Sequence, residues 1–440
     1  MENYRQAVSY IEEIPKFTKK HTLEEVKRFY RFIGSPCADR QIIHVAGTNG
    51  KGSVCAYLRN LLEETGHHTA VFVSPHLVSV RERFLFDGKA ASREKFLQAF
   101  ERVYESVCAY RELCQKKKKK TYHPAYFEYL FFMFLVMEET MAADRIILET
   151  GLGGRLDATN IMPEKLLCII TRIGFDHTEY LGNTLQEIAL EKAGILRPNV
   201  PLIYADAPSE AAEAIKNRAD GMHVPAFPVG SCDFKFEEIR DKNIAFSFQS
   251  VYYNFISLHL PTTALYQTQN AALALRAAEL LDMGETLTPE RMERALLRTC
   301  WEGRMEEVLP DVYIDGAHNE DGIRVFLESV AYFDKAGSNH LVFAVVNDKR
   351  YEEMLRLIAG SDLFASITIT QTGGKRATDP EALLAILKTC YGGDCVYVPE
   401  AEAAFDHCLK VKGKKDRVFA AGSLYLAGQL KAHIGRHSDD

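Results

Sequence analysis

The segment Gly47-Thr48-Asn49-Gly50-Lys51-Gly52-Ser53 has the residue types needed to hold a phosphate chain. It follows an apolar run, Ile42 to Ala46, and precedes a helical pattern from Gly52 to Glu64. Glycines let backbone N–H groups turn toward an anion, a lysine adds fixed positive charge, and a serine hydroxyl at a helix N-terminus can ligate Mg²⁺. The strict P-loop pattern is broken twice: Val45 stands where its first glycine belongs, and Gly52 separates Lys51 from Ser53. A glycine-rich turn without a ligand is the plain alternative. Strand, glycines, lysine and hydroxyl nevertheless occur in the order that nucleotide binding requires.

Two further clusters stand at strand ends. Ile146-Ile147-Leu148 runs into Glu149-Thr150-Gly151-Leu152-Gly153-Gly154-Arg155-Leu156-Asp157-Ala158, which puts a carboxylate beside a glycine turn. Gly174-Phe175-Asp176-His177 repeats the arrangement after the next strand with an imidazole. In open α/β sheets this edge is where ligands bind. Either residue alone could be a cap or a loop ion pair. Together, beside a phosphate loop, they point to a divalent metal, because nucleotide-bound Mg²⁺ needs a few protein ligands in addition to phosphate oxygens. No Ser/His/Asp or Cys/His arrangement suggests a covalent nucleophile.

The elements that must position these residues alternate between strand and helix patterns, which predicts α/β layering around a mainly parallel sheet. Strands are expected at Thr69 to Val73, Arg145 to Leu148, Leu166 to Thr171 and Val200 to Tyr204. Between Met222 and Leu260 the alternation of Ile244-Ala245-Phe246-Ser247-Phe248 suggests a small antiparallel insert. Helices over Gln267 to Leu281 and Pro289 to Arg298 lead to Cys300-Trp301-Glu302-Gly303-Arg304. The expected division is a large P-loop-type domain, 1–298, and a smaller C-terminal Rossmann-like α/β domain, 299–440. Strands at Val312 to Ile314, His340 to Val346, Ser366 to Thr370, Cys395 to Val398 and Arg417 to Ala420 would build the second.

Composition narrows the function classes. A chain of 440 residues exceeds what one hydrophobic core usually serves. Its 53 basic and 60 acidic residues, net charge −7, offer no global attraction to nucleic acid and leave small molecules as the expected partners. The N-terminus lacks the layout of a secretory signal, and ten scattered cysteines without a C-x-x-C pair read as reduced thiols, so a cytoplasmic location is expected. The apolar stretch Tyr126 to Met137 contains Glu128 and falls short of the roughly 20 residues that cross a bilayer, so it is expected as a buried helix. The run Lys116 to Lys120 reads as a solvated loop, the alternative being a site that attracts a polyanionic substrate.

The order of the motifs resembles the Mur ligase superfamily and, more closely, its folylpolyglutamate synthase and dihydrofolate synthase branch. The resemblance covers nearly the whole chain. It rests on Gly47 to Ser53, Ser74-Pro75-His76-Leu77 with Arg81-Glu82-Arg83, Glu149 to Asn160, Asp176-His177 and Glu191-Lys192-Ala193-Gly194-Ile195. It continues through Gln269-Asn270-Ala271, Trp301 to Glu306, Asp315-Gly316-Ala317-His318-Asn319 and Gly422 to Leu426. The resemblance implies that Gly47, Thr48, Asn49, Gly50, Lys51, Gly52 and Ser53 hold ATP, with Lys51 on the β- and γ-phosphates. Ser53, Ser74, Glu149 and His177 would ligate Mg²⁺ across two positions. Lys192 matches a lysine that is commonly carbamylated in the family. Asn270, Arg304 and Asp315 match nucleotide contacts and His318 a position important for activity, with ATP expected in a cleft between domains.

For the acceptor, Phe127 and Arg155, Leu156, Asp157 and Ala158 resemble the folate-binding region. Phe131 departs from the threonine of many relatives, and Thr18 to Leu23 is a further candidate segment near the pterin. The implied reaction couples L-glutamate to the γ-carboxylate of a folate through an acyl phosphate, releasing ADP and phosphate. Dihydropteroate is an alternative or additional acceptor, and a monomer is expected. The rivals are a cell-wall Mur ligase acting on a nucleotide-linked sugar and a nucleotide-dependent switch or binding protein.

Overall fold

The computed structural model describes residues 3–15, 21–282, 286–333, 336–347, 349–373 and 377–438. The candidate residues Thr18 to Lys20 lie outside these. The chain forms two compact units. One comprises Met1–Ile173, Gln186–Gly230 and Ala271–Ala295, and the other Gly174–Leu185, Ser231–Asn270 and Leu296–Asp440. Each unit is drawn from three separate stretches of the chain, with the antiparallel insert and the Asp176-His177 segment grouping with the C-terminal residues.

The first unit is built on an eight-stranded sheet. Its strands are β1 Ile42–Ala46, β2 Thr69–Phe72, β3 Phe84–Phe86, β4 Lys89–Ala90, β5 Arg145–Glu149, β6 Lys165–Ile170, β7 Leu202–Ala205 and β8 Ala226–Val229. The spatial order is β4-β3-β2-β5-β1-β6-β7-β8, parallel except for the β2-β3-β4 edge. β1 is buried along its whole length, as expected of a central parallel strand covered on both faces. Register places Val45 opposite Glu149 and Ala46 opposite Ile170. The chain segments leaving β1, β5 and β6 thus emerge side by side at one sheet edge. β8 is a parallel edge strand, so the antiparallel insert begins later than the expected Met222.

The helix Tyr126–Met141 is apolar almost all round and buried from Tyr129 to Phe134. Phe131, the departure from the family pattern, is fully buried with its ring 5.7 Å from that of Phe72. It is a core residue. Among the described residues no helix is long and apolar enough to cross a membrane.

The second unit contains two sheets. β9 Phe234–Arg240, β10 Asn243–Ser250 and β11 Asn254–Leu260 form the antiparallel one. β12 Glu306–Leu309, β13 Val312–Ile314, β14 Asn339–Phe343, β15 Ser366–Gln371, β16 Asp394–Glu400 and β17 Arg417–Ala421 form the other in the order β12-β13-β17-β14-β15-β16. That sheet is parallel except for the β12-β13 pair. Helices such as Glu320–Val330, capped by Asn319, pack on it, with Ile323 and Phe326 in its core.

Candidate nucleotide and acceptor site

In the first unit the phosphate loop is shaped by contact with the end of β6. Gly47 has φ +149°, and a Cβ there would lie 1.8 Å from Thr171 Oγ1, so only glycine fits. Arg172 carbonyl accepts from the N–H groups of Thr48 and Asn49 at 3.0 and 3.3 Å, and Thr171 Oγ1 donates to Asn49 carbonyl at 2.7 Å. Gly50 is the N-cap of the helix Lys51–Glu64, left-handed at φ +88°, with no side-chain cap. A 14-residue helix thus presents its N-terminus without a competing side-chain oxygen, which suits an anion.

The metal-ligand candidates of this unit gather beside the loop. Glu149 Oε2 accepts from the Ser74 N–H at 2.9 Å, and its Oε1 lies 3.9 Å from Lys51 Nζ, which also donates to Thr48 carbonyl at 3.1 Å. Glu149 and Ser53 are buried, at 3% and 1% exposure. Two hydroxyls and a carboxylate are hard oxygen donors, the kind Mg²⁺ takes while keeping water and phosphate oxygens for the rest of its shell. Among the described residues no three His, Cys, Asp or Glu converge as a ready-made metal cage. Such a donor set suits a cation that also takes phosphate oxygens. Lys192, also buried, donates from Nζ to Gly47 carbonyl at 2.7 Å, placing a cation under the first residue of the loop.

The acceptor candidates divide by exposure. Asp157 is buried and saturated: Oδ2 accepts from the N–H groups of Gly151 and Leu152 at 2.9 Å, and Oδ1 from Thr159 N and Oγ1 at 3.0 and 2.5 Å. It shapes the glycine turn. Ala158 is buried behind it. Leu156 is exposed, and Arg155 donates from Nε and Nη2 to Glu191 Oε1. Half-buried Phe127 lies so close to Gly151 that a Cβ there would be 2.6 Å from its ring.

In the second unit Asp315 follows β13 and is buried at 2% exposure. Its Oδ1 accepts from Ala317 N at 2.7 Å, and its Oδ2 from Met305 N at 2.8 Å and Tyr266 Oη at 2.5 Å. One carboxylate thus fixes the turn carrying Arg304 and the turn carrying His318. A Cβ on Gly316 would lie 2.2 Å from an Arg304 guanidinium nitrogen. Asn270 donates to Gln267 Oε1 at 2.9 Å. His177, at φ +50°, caps the short helix Thr178–Leu181.

Residues 303–424 match the Mur ligase glutamate ligase domain family. Over nearly its full length the chain is 32% identical to the dihydrofolate synthase/folylpolyglutamate synthase of Bacillus subtilis, covering 98% of this chain and 99% of that protein. The chain belongs to the dihydrofolate synthase/folylpolyglutamate synthase family. Two solved members of the family share its fold end to end. Mycobacterium tuberculosis folylpolyglutamate synthase complexed with ADP superposes with a TM-score of 0.88 at 25% identity, covering 98% of each chain. Escherichia coli FolC in complex with DHPP and ADP gives 0.84 at 26%, covering 99% of each.

Within this family member the sequence motifs left one cluster incomplete. Asp176, buried, accepts from Asn319 Nδ2 at 3.1 Å and from Lys349 Nζ at 2.5 Å, and lies 3.4 Å from His318 Nε2. His318 Nδ1 faces Gly316 carbonyl at 2.8 Å. Burial pushes the Asp176 carboxyl up, but the His318 hydrogen bond and the Lys349 charge outweigh it and hold it well below the carboxylate range. Asp176, itself held by Asn319 and Lys349, thus positions the imidazole that the sequence singled out. Asp176 and Asn319 lie inside recognised motifs. Lys349 is signalled only by a charged segment that closes an apolar run.

Proposed function

We propose that this chain ligates L-glutamate to the γ-carboxylate of a tetrahydrofolate at the expense of ATP. The observation that carries the reading is the end-to-end match to the Bacillus subtilis enzyme. That relative's name covers both acceptor activities, which favours a second reading in which dihydropteroate is accepted as well. Dihydropteroate presents a benzoate carboxylate in place of a γ-carboxylate, so the two differ in reach and not in chemistry. The family match at 303–424 supports 299–440 as a C-terminal ligase domain, with 1–298 binding ATP and the acceptor.

In the reaction an acceptor carboxylate oxygen attacks the γ-phosphorus of ATP, the bond to the bridging oxygen breaks, and ADP leaves. The resulting acyl phosphate is attacked by the glutamate amino group. The tetrahedral adduct loses inorganic phosphate and a proton, leaving an amide. No protein nucleophile is required. Lys51 and the N–H groups at the start of Lys51–Glu64 offset charge on the transferring phosphoryl group. Ser53, Ser74 and Glu149, with His177 as the further candidate ligand, would hold Mg²⁺, which would supply further charge neutralisation. Asn270, Arg304 and Asp315 serve the nucleotide, with Asp315 acting through the turns it ties. His318, held by Asp176, would serve the ligation step. A carbamylated Lys192 would present an anion where the unmodified side chain presents a cation. Phe127, Arg155 and Leu156 line the acceptor, while Asp157 and Ala158 shape the turn. ATP and glutamate as substrates, with ten free cysteines, support a cytoplasmic setting.

The test is direct. Purified protein with MgATP, labelled glutamate and either tetrahydrofolate or dihydropteroate is expected to release ADP and lengthen at least one acceptor. ATP hydrolysis that proceeds without either acceptor, and lengthens neither, would replace the ligase reading with the switch.

A further inference from the structure

The lysine run has no part in the reaction described so far. The helix Arg93–Lys116 ends as the run begins, and Lys117 to Lys120 continue as exposed chain toward buried Tyr122. A cavity of about 250 Å³ opens there, lined by Glu25, Arg28, Tyr110, Lys119, Lys120 and Tyr122. Three cations face one carboxylate. Glu25 is already engaged, accepting from Thr22 N at 2.8 Å, Thr22 Oγ1 at 3.0 Å and Lys120 Nζ at 3.4 Å. The lining therefore carries an excess of two positive charges on a chain whose net charge is −7. Lysines are favoured at a helix C-terminus, which accounts for Lys116 and Lys117. It does not account for two more cations further along, facing a cavity walled by two tyrosines.

Tyr122 ties this cavity to the acceptor region. Its hydroxyl donates to Glu128 Oε2 at 2.9 Å, the oxygen that also pairs with His21 Nδ1 at 2.9 Å and accepts from Ala125 N at 2.8 Å. Glu128 lies in the first turn of Tyr126–Met141, where the neighbouring Phe127 rests against Gly151. The basic cavity is thus linked, through the Tyr122–Glu128 hydrogen bond, to the helix N-terminus that carries the acceptor ring candidate.

We propose that this cavity is a subsite for the γ-glutamyl tail of the acceptor, holding α-carboxylates of glutamates added in earlier rounds. The proposal rests on the folylpolyglutamate reading. Each ligation consumes one carboxylate and brings in two, so the acceptor gains one negative charge per round. A basic subsite away from the reacting carboxylate then favours long acceptors over short ones. Because it binds ground state and transition state alike, it acts on KM and leaves kcat unchanged.

The test compares monoglutamyl and pentaglutamyl tetrahydrofolate with the wild type and with Arg28→Gln/Lys119→Gln/Lys120→Gln. The triple variant is expected to raise KM for the pentaglutamyl acceptor about tenfold, equivalent to about 1.4 kcal/mol. KM for the monoglutamyl acceptor and both kcat values stay within about twofold, equivalent to about 0.4 kcal/mol. Added salt should erode the wild-type preference. Equal KM changes for both acceptors, or none, overturn the subsite. A second arm titrates free penta-γ-glutamate into the full-length protein without ATP, with loss of binding expected in the triple variant and in the single loop variant Lys119→Glu. Peptide binding that persists unchanged in both variants also overturns it. A wild type that ligates neither acceptor, yet binds the peptide through these residues, refutes the ligase reading and not the anion subsite.

Discussion

The Lys192 ammonium donates to the carbonyl oxygen of Gly47 at 2.7 Å, so a buried side chain from one helix supports the first residue of the phosphate loop. Replacing it by methionine keeps the volume and removes the charge and the bond. Lys192→Met is expected to lower kcat by at least about tenfold, in line with a misplaced loop. Carbon-13 NMR in labelled bicarbonate reports separately on carbamylation. A carbamate resonance in the wild type that is missing from the variant supports the modified form, and a spectrum without one in the active enzyme removes it.

Lys51 stands between Thr48 carbonyl and Glu149, at the start of the loop's helix. Lys51→Ala is expected to cost about a hundredfold or more in kcat, the size of effect seen when one charge-stabilising donor is removed. Glu149→Gln should shift the Mg²⁺ titration to higher concentration. An unchanged titration removes Glu149 from the ligand set.

Gly151 and Phe127 touch so closely that a methyl group cannot be added between them. Gly151→Ala is expected to displace the ring and raise KM for the pterin acceptor while leaving KM for ATP unchanged. Steady-state kinetics with each substrate varied in turn separates the two. A rise confined to ATP would take Phe127 out of the acceptor site.

Asp176 and Lys349 form a buried pair, at 8% and 7% side-chain exposure. Removing one partner strands the other, which typically costs about 3–5 kcal/mol. Asp176→Asn is expected to destabilise strongly, and Asp176→Asn/Lys349→Met to recover part of the loss. Chemical denaturation of the four proteins of this cycle measures the coupling. Additive effects would show that the pair does not act as a unit.

Glu138 sits fully buried near the end of Tyr126–Met141, and burial pushes its carboxyl up to about 7 against the lowering effect of the Ala143 N–H bond. The unfolded chain releases this proton near pH 4.3, whereas the folded one keeps it to about pH 7. Between those values the folded state binds more protons, so this group's contribution to stability falls as pH rises. Glu138→Gln should therefore gain up to about 3 kcal/mol over the wild type by pH 8 and little at pH 4. Thermal melts at the two pH values check it. A gain independent of pH points to packing instead.

The elements that carry the candidate residues are largely legible in the sequence because their signals are local. Glycines, a lysine and a serine follow an apolar strand, and Glu149 closes another strand that register sets beside it. The two-residue strand Lys89–Ala90 and its neighbour Phe84–Phe86 are too short to carry a period, and this antiparallel edge escapes such reading. Asp157 shows the other limit. A carboxylate in a glycine block reads as a ligand contact, whereas four hydrogen bonds to its own turn become evident only in three dimensions. Lys349 reaches Asp176 across 173 residues, a separation over which spacing holds no information.

Phe127 rides on a helix whose next two turns are sealed inside the protein on every side. If Phe127 lines the acceptor as proposed, that wall is cast in the same piece as the core and cannot be remodelled without unpacking it. On the acceptor reading, efforts to retune which pterin acid is accepted have more freedom at exposed Leu156 than at Arg155, which is tied to Glu191.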